Sequence, residues 1–176
     1  MPESCEPARA SLLEHARGMI MIAAGIGAAQ IEVVTVVPQL IAVIRNTVSF
    51  ADLPRSQREA RASLSAMLRD AGIEDSGRPL TVWRPPQAGM IDYAPGVFVP
   101  EGFSVSGAAS LFTLPRGRAA HFRMRGSYAG LPDAWERVFS GINAEGLVPA
   151  GLNWEIYAAP DVPPEEAETD LFALLA

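Results

Sequence analysis

One cysteine and two histidines are all the thiol and imidazole metal ligands in 176 residues. Cys5 alone can form neither an intrachain disulfide nor a cysteine-built metal site, which fits a reducing compartment. His15 and His121 lie far apart, and neither belongs to a His-Glu-x-x-His pattern, so no metal is expected. Positive charge is also scarce. The 14 Lys and Arg residues against 20 Asp and Glu leave a formal charge of −6, so few groups could replace the counterions of DNA. Arg116, Arg118, Arg123 and Arg125 form the one locally basic cluster, and no recognition helix accompanies it. Direct nucleic-acid binding is therefore not expected.

Phosphate and nucleophile signatures are missing as well. No Gly-x-x-x-x-Gly-Lys-Ser/Thr loop or Gly-x-Gly-x-x-Gly turn occurs, Gly25-Ile26-Gly27 being too short, and no cofactor is expected. There is no Gly-x-Ser-x-Gly elbow, and Ser104-Val105-Ser106-Gly107 with a distant His121 does not make a serine triad. The apolar run from Gly18 to Ile31 is charge-free, but a membrane span needs about 20 residues. Its end, Gly27-Ala28-Ala29-Gln30, has the look of a secretory cleavage region, yet Glu3, Glu6 and Glu14 dilute the positive leader that Arg9 and Arg17 would supply. The expectation is a cytoplasmic protein with an accessory extension over residues 1–30 and one domain over 31–176. Its 49 % hydrophobic content is ample for a core.

The domain opens with the β-branched run Ile31 to Val37 and continues past Pro38 into Leu40 to Ile44. Asp52 is placed to cap a helix starting near Leu53, with Leu64, Met67, Leu68 and Ala71 as its buried stripe and Gly72 as its stop. Strands are expected at Leu80 to Trp83 and between Met90 and Pro100. The second half repeats this order, with a strand at Arg118 to Arg125, a helix at Leu131 to Ala144 ended by Gly146, and strands at Asn153 to Ala158 and Glu168 to Leu174. In the second helix Leu131, Trp135, Val138, Phe139 and Ile142 fall at helical spacing and read as core. One offset of 74 residues brings Gly72-Ile73 onto Gly146-Leu147, Gly77 onto Gly151, and Thr81 to Pro86 onto Glu155 to Pro160.

That offset predicts an α+β fold of two strand-helix-strand-strand modules in pseudo-twofold arrangement, with an antiparallel sheet, both helices on one face and a ligand groove between the halves. In Asn153-Trp154-Glu155-Ile156-Tyr157 alternation puts Glu155 and Tyr157 on one face and Trp154 and Ile156 on the other. A carboxylate in so apolar a strand either faces solvent on the sheet surface or serves a site. Trp154 is expected to point into the core beneath the helices. Thr81 and Trp83 are the first-half equivalents of Glu155 and Tyr157, so the groove is expected to hold Glu155 against Trp83 and Tyr157. Phe98 is a candidate for the first-half wall. Tyr128, in a strand-to-helix connection, either closes the groove or covers the helix start. Glu155 and Asp170 would form a carboxylate pair if their strands adjoined.

The segment Arg125-Gly126-Ser127-Tyr128-Ala129-Gly130-Leu131-Pro132-Asp133-Ala134-Trp135, followed by Gly146-Leu147 and Trp154-Glu155-Ile156-Tyr157, resembles the GyrI-like small-molecule-binding family, related to effector-binding domains of AraC-type and MerR-type transcription regulators. Ser127 stands where that pattern commonly has proline. The resemblance runs from about Val33 to Leu175 and implies a groove whose carboxylate is Glu155, with Tyr157 and Trp83 as walls. It implies a standalone binder of apolar, aromatic or cationic organic molecules. The alternative it implies is a hydrolase of strained cyclopropane-containing natural products, in which Glu155 would activate water and Tyr157 donate a hydrogen bond. A second copy of the chain or a separate transcription regulator are the protein partners to consider.

Overall fold

A computed structural model describes residues 31–73 and 77–176; the expected 1–30 extension lies outside them. Among the described residues nine strands and two helices follow in the order β1 (Glu32–Val36), β2 (Gln39–Val43), β3 (Asn46–Val48), α1 (Leu53–Asp70), β4 (Leu80–Trp83), β5 (Ile91–Phe98), β6 (Ser110–Leu114), β7 (Gly117–Arg125), α2 (Leu131–Ala144), β8 (Pro149–Ile156) and β9 (Glu168–Leu175). A short 3₁₀ turn, Tyr128–Gly130, leads into α2.

The strands form one antiparallel sheet in the order β1-β7-β9-β8-β4-β5-β2-β6, with β3 also on β5. This order is its own mirror image when β1 is exchanged with β6, β7 with β2, β9 with β5, and β8 with β4. The expected duplication is therefore visible in the topology. Its axis passes between β4 and β8, where Thr81 pairs with Glu155, Leu80 with Ile156 and Val82 with Trp154. The two helix ends match bond for bond. Ile73 N–H reaches the Leu68 carbonyl and Leu147 N–H the Ile142 carbonyl, both at 2.9 Å, with Gly72 and Gly146 at φ 74° and 66° making the left-handed step that only glycine takes without strain.

Only Val37 and Pro38 separate β1 from β2, although six inter-strand steps lie between them in the sheet. At about 4.8 Å per step a flat sheet would hold them nearly 30 Å apart, about three times what the short connection spans. The sheet must curl, and it does so around one apolar cluster to which every strand except β3 contributes, including Val34, Ile41, Leu80, Leu114, Trp154 and Phe172. On the opposite face α1 buries Ala60, Leu64, Met67 and Leu68 against β2 and β5. There α2 buries Ala134, Val138 and Ile142 against β7 and β9.

The structure revises several expectations. Ala71 is exposed, because the helix ends at Asp70 and Ala71 is its C-cap, outside the buried stripe. Asp52 makes no side-chain cap; its carboxylate accepts from Ser49 Oγ at 2.7 Å and pairs with Arg55 at 3.0 Å. Phe139 is 40 % exposed. Trp154 is core, but on the face away from the helices, where it stacks on Phe172 at 5.1 Å. β8 begins at Pro149, earlier than expected, because the register shift between Pro149 and Asn153, with Gly151 at φ 79°, breaks its alternation. β6 carries little sequence signal, with only Leu114 of its five residues buried.

Candidate functional site

The central strands β4 and β8 lie between the two helices, and a cleft of about 850 Å³ opens above them on the helix-bearing face. Glu155 lies in its floor, and its cross-strand partner Thr81 is buried beneath the lining. Glu155 is 3 % exposed, and neutral donors hold both of its oxygens. The indole Nε1–H of Trp135, from α2, donates to Oε1 at 2.5 Å, and the Tyr157 hydroxyl donates to Oε2. Burial foremost, then the charge and hydrogen bond of Glu155, push the Tyr157 phenol well above its ordinary range, against smaller opposing effects of Thr81 and Arg61. Tyr157 therefore remains a hydrogen-bond donor through the physiological range.

Thr81 is fully buried, and its Oγ1 accepts from Arg61 Nη2, on α1, at 2.9 Å. The same guanidinium lies over the Tyr157 ring, 5.0 Å from its centroid. Tyr128 sits at the cleft mouth, 48 % exposed, with its ring edge-on to Tyr157 at 5.5 Å. The turn that carries it is fixed by Ser127 Oγ, which accepts from Ala129 N–H at 3.3 Å. Across the mouth, Phe50 is 80 % exposed and also lines the cleft. Trp83 forms part of the inner wall and stacks on Tyr93 at 5.5 Å.

Glu155, Tyr157, Trp83 and Tyr128 are thus brought together, with Thr81 beneath them. Phe98 is not with them. It pairs with Ile41 and packs in the cluster on the other face, because alternation along β5 puts Val97, not Phe98, toward α1. Asp170 is likewise on the far face from Glu155. It pairs with Ile156 across β8–β9, so the two carboxylates form no catalytic pair. Trp135 and Arg61 are the residues that sequence reasoning left out. Trp135 was read as core, yet its half-buried ring lines the cleft. The signal that could have found both was the 74-residue offset itself, which relates Arg61 to Trp135 as it relates Thr81 to Glu155.

The far face holds a separate polar cluster. Asp170 is 2 % exposed and accepts from Arg78 Nη1 and Arg123 Nε, each at 2.7 Å, while His121 Nε2 lies 2.9 Å away. Burial alone would raise the pKa of Asp170, but the bonds from His121, Arg123 and Arg78 hold it well below its ordinary 3.8. Arg78 also donates to the carbonyls of Ile156, Tyr157 and Glu168, so it fixes the chain where Tyr157 leaves β8. Among the described residues no three His, Cys, Asp or Glu side chains converge to hold a metal ion, and no described helix is long and apolar enough to cross a membrane.

The sequence model of the GyrI-like small molecule binding domain matches residues 29–175. The chain belongs to this family. Three solved structures illustrate its GyrI-like fold. A hydrolase from Listeria innocua is 12 % identical with a TM-score of 0.62, covering 93 % of this chain and 98 % of that one. The protein SAV2435 bound to tetraphenylphosphonium is 15 % identical at 0.62, covering 84 % and 94 %. The EcmrR C-terminal domain is 13 % identical at 0.62, covering 84 % and 97 %. At these identities the likeness concerns the fold alone. No curated protein matches the sequence.

Proposed function

We propose that this GyrI-like chain binds an organic molecule with an aromatic or apolar body in the cleft between its helices, and that Glu155 is the anchor that orients it. The observation carrying this reading is a buried carboxylate held by Trp135 and Tyr157 at the floor of an aromatic-walled cleft. The strand geometry alone would tolerate a valine there. An acidic group is costly to bury without a counter-charge, and two neutral donors compensate only part of that cost. A ligand that donates a hydrogen bond or carries positive charge would add the rest. SAV2435, of the same fold, is bound to an aromatic cation of this kind.

Calorimetric titration with a panel of aromatic cations and neutral aromatics, tetraphenylphosphonium among them, tests the proposal. Glu155→Gln should weaken binding about 10- to 100-fold while circular dichroism shows an unchanged fold. Unchanged affinity and selectivity for every binder would remove Glu155 from the role.

The Glu155–Tyr157 contact favours a second reading, hydrolysis of a strained cyclopropane-containing molecule. Glu155 would take a proton from water as it adds to the ring carbon, and the protonated Tyr157 would give its proton to the departing carbon or its attached acceptor. Time-resolved mass spectrometry distinguishes the two. A hydrolase yields a water-added product whose formation Glu155→Gln abolishes, and a binder returns the molecule unchanged.

A further inference from the structure

The two halves of the cleft are related by the pseudo-twofold axis, yet they carry opposite polarity. On the β8 side the floor residue is an acceptor, Glu155, contacted by an uncharged helix residue, Trp135. On the β4 side the residue equivalent to Glu155 is Thr81, buried beneath the lining, and the equivalent helix residue, which does line the cleft, is a cation, Arg61. The next residues on the same strand faces continue the division. Trp83 and Asn153 pair across β4–β8 and both line the cleft. The Trp83 indole Nε1, which can only donate, is buried without a partner, and the Asn153 amide oxygen, an acceptor, is buried without one on the other side. Donors thus gather along the α1 and β4 wall, and acceptors along the β8 floor. Arg84 also lines the cleft, with its guanidinium over the Phe112 ring at 5.2 Å and its Nη1 buried without a partner, and it adds a donor to the β4 end, while Arg61 is the cation over the Tyr157 ring beside Glu155.

From this division we infer that the cleft selects dipolar aromatic ligands, which carry an anionic or acceptor group beside a cationic or donor group, and that Arg61 sets this selectivity. The inference rests on the reading of the cleft as a small-molecule site. The Tyr157 face, where a ligand cation would gain most, is already covered by the Arg61 guanidinium. That group is always charged, and its bond to Thr81 Oγ1 holds it in place. A ligand with positive charge alone meets a like charge there and must displace it. A ligand that also carries a carboxylate or similar acceptor gains a partner in Arg61 and a second in the free Trp83 donor, while its basic end faces Glu155. The lone pair of walls also gives the ligand a direction. In a truly symmetric cleft either orientation would be equivalent, whereas here reversal would set like against like.

Fluorescence anisotropy with two dyes of one shape provides the test: rhodamine B, a zwitterion at pH 7, and its ethyl ester, a permanent cation. The wild type should bind the zwitterion about 10-fold more tightly than the ester. Arg61→Leu should abolish this preference by weakening the zwitterion and strengthening the ester, Arg61→Lys should retain part of it, and Glu155→Gln should weaken both dyes. An ester that binds the wild type as tightly as the zwitterion, or a preference that survives in Arg61→Leu, overturns the assignment of Arg61 while leaving the cleft a binding site. Failure of both dyes to bind the wild type and Arg61→Leu alike overturns the reading of the cleft, and this inference with it.

Discussion

Replacement of Asp170 by alanine is expected to destabilise the fold by about 3–5 kcal/mol at pH 7, because it would strand buried donors that now converge on one carboxylate. Arg78, Arg123 and His121 all reach this group, and Arg78 is 33 % and Arg123 47 % exposed along their side chains. Water can therefore rescue the arginines in part but not His121, whose side chain is 5 % exposed. The loss should depend on pH with a definite sign. The folded-state pKa of Asp170 is depressed, so its stabilisation is fully present above the ordinary carboxylate range and fades as pH falls through that range toward the folded value. Urea unfolding of the wild type and Asp170→Ala at pH 7 and at pH 3 would show the gap between them narrowing in acid. A gap below about 1 kcal/mol at pH 7, within the spread of ordinary surface substitutions, would mean the cluster contributes little.

Trp154→Ala should cost a similar amount, about 3–5 kcal/mol, for a different reason. The ring is 1 % exposed and lies flat on Phe172, with an interplanar angle of 10°. Its removal leaves a cavity in the one cluster that nearly all strands share, where a curled sheet cannot collapse without disturbing every pairing. Trp135→Ala, by contrast, removes a half-buried ring from the cleft wall and a donor from Glu155, and should impair binding more than melting temperature. Thermal unfolding and calorimetric titration of both variants separate the two effects. A smaller stability loss for Trp154→Ala than for Trp135→Ala would reverse the assignment of core and site.

These two tryptophans show what the chain discloses and what it withholds. Period-two alternation was enough to set Glu155 and Tyr157 apart from Trp154 and Ile156, and the 74-residue offset was enough to find the paired modules and the equivalence of Thr81 and Glu155. Which face of the strand meets the helices was not decidable from the pattern. A curled sheet has apolar residues on both faces, so a buried aromatic such as Trp154 fits either one by pattern alone. Phe98 was misplaced for a related reason, since Pro95-Gly96 within β5 conceals the register. Gly96 is needed there because a side chain would meet Val43 Cγ1 at 2.8 Å. The bond from Trp135 to Glu155 joins residues 20 positions apart on different elements, and helical spacing records only that Trp135 lies beside the buried stripe. The offset also drifts, because α1 has 18 residues and α2 has 14. Correspondences before the helices therefore fall out of step with those after them.

The crossing of β1 and β6 has a consequence for how such a protein could come apart. β1 precedes the first module's β2 but pairs with β7, and β6 precedes the second module's β7 but pairs with β2. Each half thus lends its leading strand to the other, as two clasped hands each close around the other's fingers. A chain severed in the loop between β5 and β6 would yield two pieces, each with an unfilled sheet edge and each carrying the strand that fills its neighbour's. Expressed apart, the pieces should remain unfolded or pair with copies of themselves. Mixed, they should restore one ordered particle of the parent's mass in light scattering, and two independently folded fragments would contradict this interdependence.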